Sequence, residues 1–326
     1  MTGLLPLAAN QPPARFYRGG SRIASFRGSA PGAGFEPEDW VGSVTTLAGD
    51  ETIGATVLPD GTALRVTIAA DPVAWLGADH VARYGADPML LVKLLDAGQR
   101  LPVHAHPDAG FAGLHLGRAH GKAEAWYIVD GGTVHLGLRS AVAVSELADL
   151  VAEQRTDELL GLLHEIPVNP GDVVFVPPGM LHALGSGIFL IELQEPEDLS
   201  ILLEWRGYEI DGAQLGHLGL GFDVALDAVD RSALSVEVLR ELVRPAGDGA
   251  SVLPAAATTY FRLERRVIDG SVRLDPGFAV LVIEAGEVRA GDIALAAGTT
   301  WLLPHSAGSL VLVGTATVLA CRPPAP

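Results

Sequence analysis

The sequence predicts an all-β protein of sandwich or barrel type, and three observations carry that prediction. Glycine (39) and proline (22) are spread along all 326 residues. They punctuate many short apolar runs of strand length, with few segments of helical period. A stretch rich in proline, glycine and small residues, PAGDGASVLPAA at 245–256, separates a longer first part from a second part that returns to short strands. The expected division is therefore 1–245, with an N-terminal cap and a first barrel, and 257–326, a smaller β domain.

The elements follow in order. RFYRGGSRIASFRG and PEDWVGS, within the first 85 residues, read as loops and edge strands that could cover one end of the first barrel. MLLVKLLDA (89–97) is a buried strand. AWYIVDGG (125–132) and TVHLGLRS (133–140) read as a hairpin around Gly131-Gly132. Leu147, Leu150, Val151, Leu159, Leu162 and Leu163 recur at helical spacing, so 145–166 is expected to be one or two short inserted helices with Ser145 as N-cap. VVFVP (173–177), IFLIELQ (188–194) and SILLEWRG (200–207) are further strands, and 223–242 is a second helical candidate. Beyond the linker, YFRLERRV, SVRL, FAVLVIEAG, DIALAAG, TWLLP, SLVLVG and ATVLAC are strands between glycine turns.

Composition excludes several classes of function. The net charge of −17 and pI near 4.9 argue against nucleic acid and anionic membrane surfaces, which need a basic footprint. Hydrophobic residues make up 48% and charged ones 19%, enough for a large core and too apolar for disorder. One cysteine, Cys321, rules out a disulfide scaffold and a thiolate zinc cluster. No apolar run approaches a membrane span, and MTGLLPLAANQPPARF lacks the pattern of a secretory signal, so a cytoplasmic location is expected. Of the 22 basic residues only Lys93 and Lys122 are lysine. Lysine and arginine differ in hydration, geometry and pKa range, so each lysine here invites a reason.

Two features carry chemistry. His104-Ala-His106 follows a strand, and alternate strand residues share a face, so both imidazoles can reach one metal. GDVVFVPPGMLH (171–182) runs from a Gly-Asp turn through a strand to a Pro-Gly turn that places His182 at the start of the next strand. Together they resemble the two metal-binding motifs of the cupin barrel, with Ser186 where the second motif would carry Asn. The stretches LLVKLLDAGQRLPVHAHPD, GKAEAWYIVDGG, VNPGDVVFVPPGMLHAL and IELQEPED, together with the helical insertion, resemble the type I mannose-6-phosphate isomerase family over most of 35–205. The chain looks like a divergent member.

That resemblance implies two cupin-type β-barrels (jelly rolls), a small helical insertion in the first and no metal in the second. It implies one metal held at His104, His106, Glu124 and His182, with His104 standing where the family has Gln. Three imidazoles and one carboxylate suit Zn2+, with Fe2+ or Mn2+ as alternatives. Lys122, two residues before Glu124 on the same strand face, inherits the role of holding substrate and stabilising charge. The family's catalytic Arg falls at Leu202. Strand alternation puts Ser200, Leu202, Glu204 and Arg206 on one face and Ile201, Leu203 and Trp205 on the other. Arg206 could therefore replace the missing Arg with Glu204 as acid or base, or the two could pair at the rim.

Glu195 and Asp198 are expected at the cavity mouth, and Arg118 is a further candidate for substrate binding. Glu204, Glu195 or a metal-bound hydroxide could serve as general base. Lys93 is expected to snorkel or pair locally, and His115 and His120 to lie in a loop beside the site, as surface histidines or as gating residues. His305 follows Pro304 in an echo of the second motif that lacks its Gly and His. The implied activity is aldose–ketose isomerisation of mannose 6-phosphate and fructose 6-phosphate or a related sugar. The loss of the Arg and the acidic charge leave open a neutral sugar, or a phosphosugar held differently. The alternatives are another metal-dependent cupin enzyme, an epimerase or oxygenase, or a non-catalytic sugar-binding cupin.

Overall fold

The computed structural model describes residues 3–326 and consists mainly of three antiparallel sheets. The first, of six strands, runs in the order Val243–Pro245, Asp172–Val176, Glu124–Asp130, Phe189–Gln194, Leu91–Asp96 and Glu38–Val41. The second, of five, runs Ile201–Leu202, His104–Ala105, His182–Leu184, Gly132–Leu138 and Leu163–Val168. Leu94, Trp126, Val174 and Ile191 from the first and Val134, Leu136 and Leu184 from the second share one buried core. That pair of sheets is the first barrel. The six-stranded sheet is buried on both faces, which is why its strands read as continuous apolar runs.

Period-two alternation is clean on the five-stranded sheet. Val103, Ala105, Leu181, Ala183, Ile201 and Leu203 face outward and pack against the inserted helices through Leu147, Leu150, Val151 and Leu159. His104, His106, His182 and Leu202, one residue out of phase, face the barrel interior. The insertion is two helices, Val144–Ala152 and Thr156–Gly161. Ser145 is not the cap: the helix starts one residue earlier, after an extended Ala143 that offers no side-chain acceptor.

Three further expectations are corrected. The strands on either side of Gly131-Gly132 do not form a hairpin, because Glu124–Asp130 lies in the six-stranded sheet and Gly132–Leu138 in the five-stranded one. A Cβ on Gly131 would run into the Val168 carbonyl, and one on Gly132 would meet Ile188 Cγ1 at 2.7 Å. The two glycines permit a tight corner between sheets. The first 85 residues hold helices at Arg22–Arg27, Leu64–Ala70, Pro72–Leu76 and Ala78–Tyr84, as well as the predicted edge strand in PEDWV. The 223–242 candidate is broken into Phe222–Ala225, a 3-10 turn at Leu226–Ala228, and Val236–Leu242.

The C-terminal unit is a six-stranded sheet built from Arg262–Leu274, Ala279–Ala290, Ile293–Ala296, Thr300–Leu303 and Leu310–Arg322, completed by Leu5–Leu7 from the N-terminus. The first strand of the chain thus belongs with the last. Val280, Val282, Leu302 and Leu319 join the core of the first barrel, while Leu281, Ile283, Leu312 and Val318 form a separate one. His305 packs against Gly77 beside the N-terminal helices, a structural position. No helix among the described residues is long and apolar enough to cross a membrane.

One buried side chain ties the insertion to the end of the barrel. Gln154, with φ +50°, donates from Nε2 to the Val151 and Leu203 carbonyls at 2.8 and 3.0 Å. Its Oε1 accepts from the Trp205 and Arg206 amides at 2.7 and 3.1 Å. Gln154→Leu should therefore lower unfolding stability in urea by roughly 2–4 kcal/mol, because it leaves several buried backbone groups unsatisfied. An effect below about 0.5 kcal/mol would show that these bonds are replaced by water at little cost.

Candidate metal centre

Each imidazole at the barrel interior is oriented by a carbonyl behind it. His104 Nδ1 lies 2.8 Å from the Pro102 carbonyl, His106 Nδ1 2.6 Å from that of Leu199, and His182 Nδ1 2.9 Å from that of Met180. A carbonyl oxygen only accepts, so every Nδ1 carries the proton and every Nε2 keeps a free lone pair. The histidines can present ligand nitrogens within 4.8 Å of one another, and all three residues are buried. His104 and His182 are direct cross-strand partners, with ring centroids 4.0 Å apart. The two sequence motifs are stitched together by the Gly179 amide, which donates to the His106 carbonyl at 2.7 Å from a turn with φ +84° that favours glycine.

Glu124 reaches the same point from the opposite sheet. Its Oε1 is 2.9 Å from His106 Nε2 and 3.0 Å from Lys122 Nζ, and its Oε2 is 3.6 Å from His182 Nε2. Trp126 Nε1 donates to Oε2 at 3.3 Å. Burial, reinforced by Lys122, pushes His106 down to about 4, and burial with the neighbouring imidazoles holds His104 well below the usual histidine range. Both are thus neutral, the form that binds metal. Glu124 is held well below the usual carboxylate range: burial opposes this, but the Lys122 ammonium 3.0 Å away favours the ionised form. The Nε2 atoms of His106 and His182 are buried without a hydrogen-bond partner. Unprotonated imidazole nitrogens facing a carboxylate repel it unless a cation lies between them, so this donor set fits a divalent ion.

A cavity opens beside these residues, and much of its wall comes from positions that motif spacing does not reveal. Trp40, Lys93, Glu192 and Trp126 form one row across four adjacent strands. Lys93 Nζ lies 3.2 Å from Glu38 Oε2, 3.7 Å from Glu192 Oε2 and 4.9 Å from the centre of the Trp40 ring. The expectation of a merely local pairing for Lys93 is thus corrected: it lines the cavity. Glu38 also accepts from Trp40 Nε1 at 2.6 Å and from the Tyr17 hydroxyl. Burial, aided by the Glu124 charge and opposed by Lys93, pushes Glu192 up to about 8. Arg15 enters from the N-terminal segment.

The remaining expectations divide. Lys122 lies where the sequence places it. The strand after Glu192 ends at Leu202, so the alternation that would have brought Glu204 and Arg206 inward stops. Glu204 is paired with Arg100 and accepts from the Val103 amide at 2.9 Å; the Arg206 side chain donates to the Glu153 carbonyl at 3.1 Å. Neither lines the cavity, because Gln154 has taken the amides of residues 205 and 206 and turned the chain away. Glu195 Oε2 accepts from the Ala123 amide at 2.8 Å, which clamps the backbone between Lys122 and Glu124. Arg118 is exposed, 3.7 Å from Glu197. His120 is half-buried and pairs with Asp87 at 2.7 Å.

No protein-family model matches the chain. Over 241 residues, 70% of this chain and 72% of the relative, it is 30% identical to the mannose-6-phosphate isomerase ManA of Bacillus subtilis. The chain belongs to the mannose-6-phosphate isomerase family. A mannose-6-phosphate isomerase of Streptococcus mutans is 28% identical over 273 residues, covering 76% and 80% of the two chains. Among solved structures, the mannose 6-phosphate isomerase of B. subtilis superposes with a TM-score of 0.68 over 98% of this chain and 99% of its own, at 21% identity. A single-residue variant of phosphomannose isomerase from Salmonella typhimurium does so with a TM-score of 0.74 over 99% and 100%, at 15% identity. At those identities the likeness shows the fold, and the fold is the expected cupin one.

Metal analysis tests the donor set within this family fold. The purified protein should carry about one divalent ion per chain, and His182→Ala should lose it, since each ligand or its support is worth roughly 10–100-fold or more in affinity. Chelation should lower the melting temperature of the unaltered protein and leave that of His182→Ala unchanged. A chelator-insensitive melting temperature in both would contradict the assignment.

Proposed function

We propose that the protein is a metal-dependent aldose–ketose isomerase. It would interconvert mannose 6-phosphate and fructose 6-phosphate, or a related sugar pair, by proton transfer through an enediolate. The observation that carries this reading is the set of three oriented imidazoles and Glu124, with Lys122 against the carboxylate, in a chain of this family. We take Zn2+ as the metal, with Fe2+ or Mn2+ as alternatives, and His104, His106, Glu124 and His182 as its ligands. When bound, such an ion supplies Lewis acidity toward the oxygens on C1 and C2.

The chain's own groups account for the rest. Lys122 Nζ, 3.0 Å from Glu124, can donate to a substrate oxygen as negative charge grows on it. Moving a proton from C2 to C1 requires a group that alternates between acid and base. Among the cavity carboxylates, Glu38 is saturated by Tyr17, Trp40 and Lys93, and Glu124 faces the imidazoles. Glu192 remains, and we assign it the proton transfer in place of Glu204. Pro102, Trp126, Leu184 and Leu202 line the same cavity and keep water from the intermediate. We propose the cytoplasm as the compartment.

A coupled assay of mannose 6-phosphate and of free mannose, with each metal, tests the reading. Conversion of either sugar is expected. Lys122→Met should lower kcat by about 10²–10³ and Glu192→Gln by about 10²–10⁴, with metal content retained. Oxygen consumption without sugar conversion would move the protein to the oxygenases. Tight sugar binding with no conversion would make it a binding protein.

A further inference from the structure

We propose that Arg15 binds the substrate: its guanidinium, carried into the cavity by the N-terminal segment, donates to an oxygen of the sugar. The inference rests on the isomerase reading above. It identifies a binding group that no motif spacing points to.

Four observations carry it. Arg15 lines the same cavity as His104, Lys122, Glu124 and Glu192. Its fork is fixed by Asp198, which accepts from Nη1 and Nη2 at 3.3 and 3.2 Å, a bidentate pair that sets the plane of the group. Nε is buried and has no hydrogen-bond partner; Glu38 Oε1 lies 3.3 Å away without the alignment of a bond. Two of five N–H groups are thus used, and 15% of the side chain is exposed. The backbone is also constrained: Ala14, directly after Pro12-Pro13, has φ +55°, and the Arg15 amide donates to the Phe35 carbonyl at 3.0 Å. Left-handed backbone at a residue with a Cβ is held only where its surroundings over-determine it, and here it aims a charged side chain inward.

The other cations of the cavity are less available. Lys93 is 2% exposed and lies between two carboxylates, while Lys122 faces Glu124. Where the family resemblance would place an Arg, the chain has Leu202, which lines the cavity without a charge. Arg15 is therefore the most exposed of these cavity cations and keeps donors to spare, and its planar fork suits a pair of oxygens, whether vicinal hydroxyls or a phosphate.

The test uses the full-length protein loaded with Zn2+ and the variants Arg15→Met, Arg15→Lys and Asp198→Asn. The readouts are kcat and KM for mannose 6-phosphate and for free mannose, fructose 6-phosphate affinity by calorimetry, metal content and melting temperature. Arg15→Met should lower kcat/KM by about 10–100-fold, mainly through KM, with metal content unchanged; Arg15→Lys should recover only part. Asp198→Asn keeps the guanidinium but frees its plane, and should raise KM by a smaller factor. A loss confined to the phosphorylated sugar puts Arg15 on the phosphate, and an equal loss for both puts it on hydroxyls; each supports the proposal. Kinetics within twofold of the unaltered protein in both Arg15 variants would overturn it. So would a fall in melting temperature with KM unchanged, the mark of a purely structural clamp. Should Arg15→Met fail to fold, Asp198→Asn and Arg15→Lys decide by the same criteria. If the unaltered protein converts no sugar, the isomerase reading fails, and calorimetry alone judges Arg15: affinity lost in the variant supports it, and equal or absent binding overturns it.

Discussion

Three hydrogen bonds from imidazole Nδ1 atoms to backbone carbonyls set the character of the whole interior. Each fixes a tautomer, and together they leave Nε2 lone pairs aimed at one point on the wall of the cavity. Two further constraints make this possible. The alternation of the five-stranded sheet sends Val103, Ala105, Leu181 and Ala183 outward as His104, His106 and His182 go inward. The inserted helices cover that outward face, so the strands bearing the histidines are held from behind by an apolar layer. The orientation of the three imidazoles is therefore set by packing as well as by the carbonyls, and a change in the insertion would reach them through the strands that bear them.

Charge balance is the second organising demand. Burying Glu38, Glu124, Glu192, Lys93 and Lys122 together is costly unless each finds a partner of opposite sign or a hydrogen bond. Lys93 between Glu38 and Glu192, and Lys122 against Glu124, meet most of that demand. The row Trp40–Lys93–Glu192–Trp126 shows how the sheet enforces it, since its members face one another across successive strands whatever their conformational freedom in solution. What the side chains leave unbalanced lies at the centre, where imidazole nitrogens face Glu124. A divalent cation held by these residues would resolve that conflict and would supply the Lewis acidity that an isomerisation needs.

Much of this was legible in the residues, and the limits have physical causes. The histidines stand in patterns of fixed local spacing, so HxH and the Gly-Asp to Pro-Gly-x-x-His run survive without any knowledge of the fold. Lys93 does not: it sits in LLVKLLDA, a strand buried on both faces, where period two cannot say which side is which. Glu38 and Arg15 lie far upstream of the motifs, on segments whose reach toward the barrel depends on tertiary packing. Glu204 and Arg206 were misplaced for the opposite reason. Alternation was extended past Leu202, and only Gln154, fifty residues earlier, shows why the strand must stop there. Gly131-Gly132 carries a turn signal that is equally valid for a hairpin and for a corner between sheets.

The two site positions at which the resemblance implies a departure from the family's pattern are not independent. His104, where the resemblance implies an amide ligand, and Leu202, where it implies an arginine, are direct partners across the Ile201–Leu202 and His104–Ala105 strands. An imidazole on one strand and an apolar side chain opposite it make a site that is richer in neutral metal donors and poorer in fixed positive charge on that wall. A sugar bearing negative charge, at its reacting carbons or on a phosphate, still needs a cation within reach. The structure supplies one from a different direction, on a strained N-terminal turn braced by Asp198 and Phe35. Since Leu5–Leu7 is woven into the C-terminal sheet while Arg15 reaches the first barrel, residues 5–15 act as a strap between the two units. The N-terminal segment is then part of the binding site, and the C-terminal sheet, which bears no metal motif, contributes to binding by anchoring it.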